Sequence, residues 1–210
     1  MRMRAKRNRD ARFLKVADLF AETESECVVI REDRPLYIEI GCGKGAFCTE
    51  LAAENPNADI IAVELSADAL LMAMEKAKRS DLPNLSFLNC NADGLDRIFA
   101  ARSVDRIYLN FSDPWPKSKH AKRRLTAPQF LNKYKTVLKD GGEIRFKTDN
   151  RGLFDYSLST FAECGFTIDK VLFDLHSSEL NSENIRTEYE NNFSAKGFKI
   201  NYIKVHFEAK

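Results

Sequence analysis

Apolar residues along the chain fall into two alternating patterns. Short hydrophobic runs bounded by turn-forming residues recur at LYIEI (36–40), DIIAVEL (59–65), LSFLNC (85–90), VDRIYLN (104–110) and EIRFKTD (143–149). Between them, apolar positions return every three or four residues, most clearly over 67–79, where they fall at 70, 71, 74 and 77. Near-continuous runs fit strands buried on both faces, and the longer period fits helices that bury one face. Helices are therefore predicted over 45–54, 67–79, 128–138 and 153–164. Pro128 suits a first helical turn, DGG at 140–142 stops the third helix, and Gly165 ends the fourth. Two closing runs, FTIDKVLFDL (166–175) and GFKINYIKVHFEA (197–209), read as strands. Between them, 177–186 is polar and predicted to be mobile, with no obvious full helix.

Strands separated by helices require right-handed crossovers. The predicted fold is therefore α/β: a mostly parallel seven-stranded sheet, helices on both faces, and an antiparallel edge strand made by the closing pair. Residues 1–34 read as a basic arm plus a short amphipathic helix (Phe13, Leu14, Ala17, Leu19, Phe20), and 35–210 as one domain. A chain of 210 residues with 44% apolar content can build one full core. No apolar run approaches 18 residues, and the charged start lacks a signal-peptide core. The 5 cysteines include no C-x-x-C pair, and His120, His176 and His206 lie far apart. That pattern predicts reduced thiols, a cytoplasmic protein and no metal site.

Net charge is only +2, but its distribution is uneven. Cations crowd into MRMRAKRNRD (1–10) and into 117–124, where Lys117, Lys119, Lys122, Arg123 and Arg124 accompany His120 with no acid. Such blocks fit either a polyanionic partner such as nucleic acid or a pair of solvated faces.

The strand ends carry the candidate chemistry. EIGCGKG places Glu39, Gly41, Gly43 and Gly45 where the first strand turns into a helix. Glycines there allow a tight turn and close backbone approach to a ligand. Gly41-x-Gly43-x-x-Ala46 also fits a dinucleotide fingerprint, but Glu39 would repel a pyrophosphate and suits an amine or cation instead. No Ser or Thr follows Lys44-Gly45, which excludes a phosphate-binding P-loop. Glu64, ending the second strand, suits a ribose diol in NAD or in S-adenosylmethionine (SAM) alike. Asn91, past the third strand, suits an adenine edge. In NFSDPWPK (110–117), Pro114 and Pro116 stiffen a turn that would hold Asp113 and Trp115 in one geometry across the same crevice. Trp115 fits either a stacked base or the core.

EIGCGKG, Glu64 and the Asp-Pro-aromatic turn together are similar to class I, Rossmann-like SAM-dependent methyltransferases. More narrowly, YLNFSDPWPKxxHxKRRLT (108–126), FKTDNRGLFxYS (146–157) and TEYE (187–190) resemble the bacterial tRNA (guanine-N7-)-methyltransferase family. The resemblance runs from the basic N-terminus to about residue 197. It implies methyl transfer from SAM to N7 of a guanosine in the tRNA variable loop, guanine 46. The cofactor would be held by Glu39, Gly41, Gly43, Gly45, Glu64, Asn91 and Asp113, without a metal. Asp113 would be catalytic. Lys117, Asp149, Thr187, Glu188, Tyr189 and Glu190 would bind substrate, with acids placed for guanine N1 and N2. Lys119, His120, Lys122, Arg123 and Arg124 would track tRNA phosphates. The family more often has Asp where Asn91 stands, and the Asn amide oxygen can make the same bond to the adenine amino group. tRNA is the implied partner, with no obligatory protein partner and a monomer or homodimer equally open. A SAM-dependent enzyme acting on another RNA base, a dehydrogenase and a non-enzymatic RNA chaperone are the competing readings. The last two leave NFSDPWPK or the strand-end acids without a role.

Overall fold

The structure, a computed structural model, describes residues 8–209. Most of the predicted basic arm, residues 1–7, lies outside the described residues. Helix α1 (Arg9–Leu14) and a 3-10 turn (Ala17–Leu19) lead into a two-strand hairpin, β1 (Thr23–Glu24) and β2 (Cys27–Val28). The main unit then runs β3 (Leu36–Ile40), α2 (Ala46–Glu54), β4 (Asp59–Val63), α3 (Ala67–Ala77), β5 (Leu85–Leu88), α4 (Leu95–Ile98) and β6 (Val104–Asn110). It continues through α5 (Pro128–Val137), β7 (Leu138–Thr148), α6 (Arg151–Glu163), β8 (Thr167–Leu172), α7 (Glu188–Ser194) and β9 (Asn201–Phe207).

Seven strands form one sheet in the order β5-β4-β3-β6-β7-β9-β8. Pairings through β5-β4-β3-β6-β7 are parallel, and β9 runs antiparallel to both β7 and β8. The antiparallel strand thus lies one place in from the rim, not at the edge itself. Without a long crossover helix after β8, the chain turns back through short elements and inserts β9 beside β7.

The two-faced burial expected of such strands is present. On one face, Ile38, Ile107, Leu109, Ile144 and Phe146 pack with Tyr134, Phe154 and Phe161. On the other, Ile60, Ala62, Phe87 and Tyr108 pack with Phe47, Leu51, Leu70, Leu71 and Met74. Local signals explain the helix ends. Pro128 opens α5, the Ser66 hydroxyl accepts the Ala69 N–H at the start of α3, and the Asn150 side chain accepts the Leu153 N–H at 2.8 Å to start α6.

Residues 8–34 are tied to the sheet unit. Arg12 forks onto Glu75 at 2.7 and 2.5 Å, Val16 joins the core beside α3, and Phe20 bridges to Phe87.

Three departures from the sequence reading have physical causes. DGG does not simply stop a helix: β7 begins at Leu138, and 140–142 take up a register shift against β6, whose Val104 faces Leu138 while Arg106 faces Glu143. Helix α4 is too short to show a period. The connection predicted to be mobile is wound into 3-10 turns at Leu175–Ser177 and Glu179–Glu183, and α7 follows where no helix was predicted. Among the described residues, no helix is long and apolar enough to cross a membrane.

Candidate active site

Parallel strands deliver their carboxyl ends to one rim, and the candidate residues gather there. Gly41 and Cys42 donate backbone N–H groups to Val63 O at 2.8 and 3.1 Å, which folds the glycine turn over the end of β4. Gly41, Gly43 and Gly45 all have left-handed φ, of 81°, 56° and 75°. Gly45 lines neither of the two cavities at this rim: a Cβ there would sit 2.6 Å from the Ala73 Cβ, so this glycine lets α2 lie against α3.

Two cavities share Gly41, Asn110 and Phe111. The larger, about 620 Å³, is lined by Gly41, Glu64, Asn91, Asp113, Trp115 and Arg123 among others. The smaller, about 330 Å³, meets Glu39, Gly43, Phe47, Thr187, Glu188 and Tyr189. Glu64 is pinned before any ligand arrives, since its carboxylate accepts Gly43 N–H at 3.0 Å and Ser66 N–H at 2.8 Å. Each oxygen keeps a lone pair for a diol. The amide oxygen of Asn91 accepts Asp93 N–H at 3.0 Å, as a helix-capping Asp or Asn does. It too retains one lone pair.

Glu39 is only 2% exposed and accepts Asn110 Nδ2 at 2.9 Å. Burial pushes its carboxyl up to about 7, against the pull of the Asn110 bond and of the Lys147 charge. Its Oε2 and the Asn110 Oδ1 are buried acceptors without a well-formed hydrogen bond among the described residues, the Cys48 backbone N–H exerting only the smallest pull on the Glu39 carboxyl. Two inward-facing acceptors of this kind fit a donor-rich cationic group such as an α-ammonium.

The NFSDPWPK turn is strained and braced. Phe111 and Trp115 hold φ of 51° and 41°, unusual for side-chain-bearing residues. Arg124 donates Nε to Pro114 O at 3.0 Å and Nη2 to Trp115 O at 3.1 Å, and lies 4.3 Å over the Tyr156 ring. Arg123 lies 4.8 Å over the Trp115 ring. The half-buried Trp115 is thus a bracket between cleft and basic cluster. Asp113 is exposed, and among the described residues nothing bonds its carboxylate. The turn holds this acid open to the cleft. Lys117, Lys119, Lys122 and Arg123 are exposed, and His120 is half-buried with its ring 5.9 Å from Trp115.

The four residues TEYE separate into two kinds. Thr187 and Glu190 form a capping box that starts α7. Glu190 is fully buried: its carboxylate takes Lys147 Nζ at 2.8 Å, His176 Nε2 at 2.7 Å and Asn184 Nδ2 at 2.6 Å. It therefore faces protein and not the cleft. Glu188 pairs with Lys76, and Tyr189 donates to Asp149 Oδ2 at 3.4 Å. Lys147 also donates to Ile185 O at 2.7 Å and Asn184 Oδ1 at 3.0 Å. Burial pushes the Lys147 ammonium down while Glu190 pulls it back up. Burial would raise the Glu190 carboxyl, but Lys147 and the hydrogen bonds from its other partners outweigh that and hold it low. Asn110, Lys147, His176 and Asn184 were not singled out from sequence. The one available signal was a lysine in mid-strand, between Phe146 and the strand-ending Thr148-Asp149.

Comparison with known proteins now bears on these features. A family model described as "Putative methyltransferase" matches residues 33–203. Among solved structures, that of the 16S rRNA methyltransferase KamB superposes with a TM-score of 0.63 at 14% identity, over 95% of this chain and 94% of that one, a likeness of fold. The chain is a class I, Rossmann-like methyltransferase. A curated relative from Geobacillus sp. (strain WCH70), named tRNA (guanine-N(7)-)-methyltransferase, is 50% identical over 85% of this chain and 80% of its own length. A relative of the same name from Bacillus licheniformis is 48% identical over 85% and 84%. The chain belongs to the tRNA (guanine-N7-)-methyltransferase family, which is SAM-dependent.

The Lys147–Glu190 pair generates a direct expectation. Lys147→Met strands a buried carboxylate and should lower unfolding stability by about 3–5 kcal/mol. Removing both charges in Lys147→Met/Glu190→Leu should recover most of that loss, as read by urea denaturation. A double variant no more stable than Lys147→Met would contradict the pairing.

Proposed function

We propose that the chain transfers a methyl group from SAM to N7 of a guanosine in tRNA, at position 46 of the variable loop. The observation that carries this reading is the open carboxylate of Asp113, fixed by a braced turn at the mouth of the cleft. Close relatives named for guanine-N7 methylation of tRNA support the substrate. SAM supplies an electrophilic methyl: its S–CH3 bond breaks as an N7–CH3 bond forms, and the electron pair stays on sulfur.

Guanine N7 has an in-plane lone pair, so no base is needed to create the nucleophile. What the reaction creates is positive charge on the purine. Asp113 opposes that charge and helps to hold the base, a preorganised electrostatic role. Glu39 and Asn110 take the cofactor's ammonium, the free lone pairs of Glu64 take its ribose, and Asn91 takes its adenine edge. Asp149, Glu188 and Tyr189 form the substrate wall, and the acids accept from guanine N1 and N2. Thr187 and Glu190 position that wall. Lys117, Lys119, His120, Lys122 and Arg123 contact tRNA phosphates in the cytoplasm, whereas Arg124 supports the turn.

Two outcomes test the assignment. Asp113→Asn keeps size but removes charge, and single-turnover methylation should fall by roughly 10²–10³. A near-wild-type rate in a folded variant would reduce the turn to scaffolding. Cofactor affinity should also depend on Glu39 ionisation. Because its carboxyl is raised to about 7, the ionised fraction grows as pH rises through that value. SAM should bind about tenfold more weakly at pH 6 than at pH 8, in proportion to that fraction. The Glu39→Gln variant should lose this slope in calorimetry, and a slope that persists would place the titration elsewhere.

A further inference from the structure

Beyond the cleft, a ladder of aromatic rings leads from the reaction site to the surface. Phe111, on the strained turn, lies 5.1 Å from Tyr189, which stacks on Phe193 at 4.0 Å and 14°. Phe193 meets Phe198 at 5.4 Å and 60°. Tyr189 is 41% exposed and Phe198 51%. Apolar rings left open in a row are uncommon on a free surface, and a contiguous patch of them marks a contact site.

The backbone accounts for how the ladder is built. Helix α7 ends with Phe198 N–H donating to Phe193 O at 3.2 Å and Gly197 N–H donating to Ser194 O at 2.9 Å, with Gly197 at φ 83°. This is the glycine-terminated helix end in which the residue after the glycine touches the start of the last turn. Such a cap needs only an apolar side chain at 198. Leucine would close it as well as phenylalanine, so the cap alone does not call for a ring.

Cations flank the rings. Lys196 Nζ lies 5.0 Å from the Phe193 ring, and Lys44 lines the cavity that Tyr189 borders. Interleaved rings and cations are what single-stranded nucleic acid contacts use, with bases on the rings and phosphates on the lysines.

We propose that Phe198, backed by Phe193, is a base-stacking shelf for unpaired nucleotides next to the target guanine, reached from the cleft through Tyr189. This rests on the tRNA reading of the site and extends it to residues outside the cleft. Ring faces tolerate any base, so the shelf supplies affinity and leaves sequence preference to other contacts.

Binding of unmodified tRNA, followed by fluorescence anisotropy at fixed salt, tests it. Phe198→Leu keeps the helix cap and loses the ring, and Phe198→Tyr keeps both. Phe198→Leu should weaken tRNA binding about fivefold or more, the scale of one lost base stack. Phe198→Tyr should bind within twofold of wild type, and SAM affinity and thermal midpoint should stay at wild-type values in both. Wild-type tRNA affinity in Phe198→Leu overturns the shelf. A changed sedimentation coefficient with unchanged tRNA affinity also overturns it, and assigns the patch to a second copy of the chain. Failure of the wild-type protein to bind tRNA at all would instead remove the functional reading on which the shelf stands.

Discussion

Lys147 lies almost fully buried in the middle of a sheet, between Glu190 and Glu39. Two charges removed from water are costly, and the pair is tolerable only because its bonding capacity is filled. Lys147 donates to Glu190, Asn184 and Ile185, and Glu190 is shared with His176 and Asn184. These partners come from β7 and from the segment 176–190, so the bond network folds a polar connection onto the strand ends. Tyr189 then lies beside Asp149 and Phe111, and Glu188 reaches Lys76. The same ammonium lowers the proton affinity of Glu39, which burial alone would raise further. One buried cation thus couples the 187–189 wall of the smaller cavity to Glu39, which lines the same cavity.

Charge around the cleft is divided by depth. Acids from the strand ends, Glu39, Glu64 and Asp113, line the cavities, and in the proposed reaction the sulfonium donor and the purine gaining charge are both cationic. Cations stand at the rim, on 117–123 and beside the aromatic ladder, where an RNA backbone would run. A cation aimed at the methyl group would oppose the proposed transfer, and the buried Lys147 is neutralised by Glu190. The positive φ at Phe111 and Trp115 places strain at the turn that carries Asp113, and Arg124 bonds that turn at two carbonyls.

The parallel sheet was legible because strands buried on both faces leave continuous apolar runs, and EIGCGKG and NFSDPWPK stand at their ends. The acids Glu39, Glu64 and Asp113 were legible for the same reason: ligands of such sheets collect at carboxyl strand ends. The insertion of β9 between β7 and β8 was not legible, since strand order depends on where a chain turns back. Helix α7 was hidden because a seven-residue helix shows no clear period and its burial comes from Glu190, a polar residue. The capping box that Thr187 and Glu190 form within TEYE was likewise invisible. A capping box and a binding motif have the same spacing, and only the buried partner Lys147 distinguishes them.

Whether this crevice methylates guanine N7 in tRNA is read from the identity of the product. Unmodified tRNA is incubated with the protein and isotopically labelled SAM, then digested to nucleosides and separated. Label is expected in 7-methylguanosine and is expected to be lost when the variable-loop guanosine 46 is replaced. Label in a different nucleoside, or 7-methylguanosine that persists without that guanosine, would contradict the proposal.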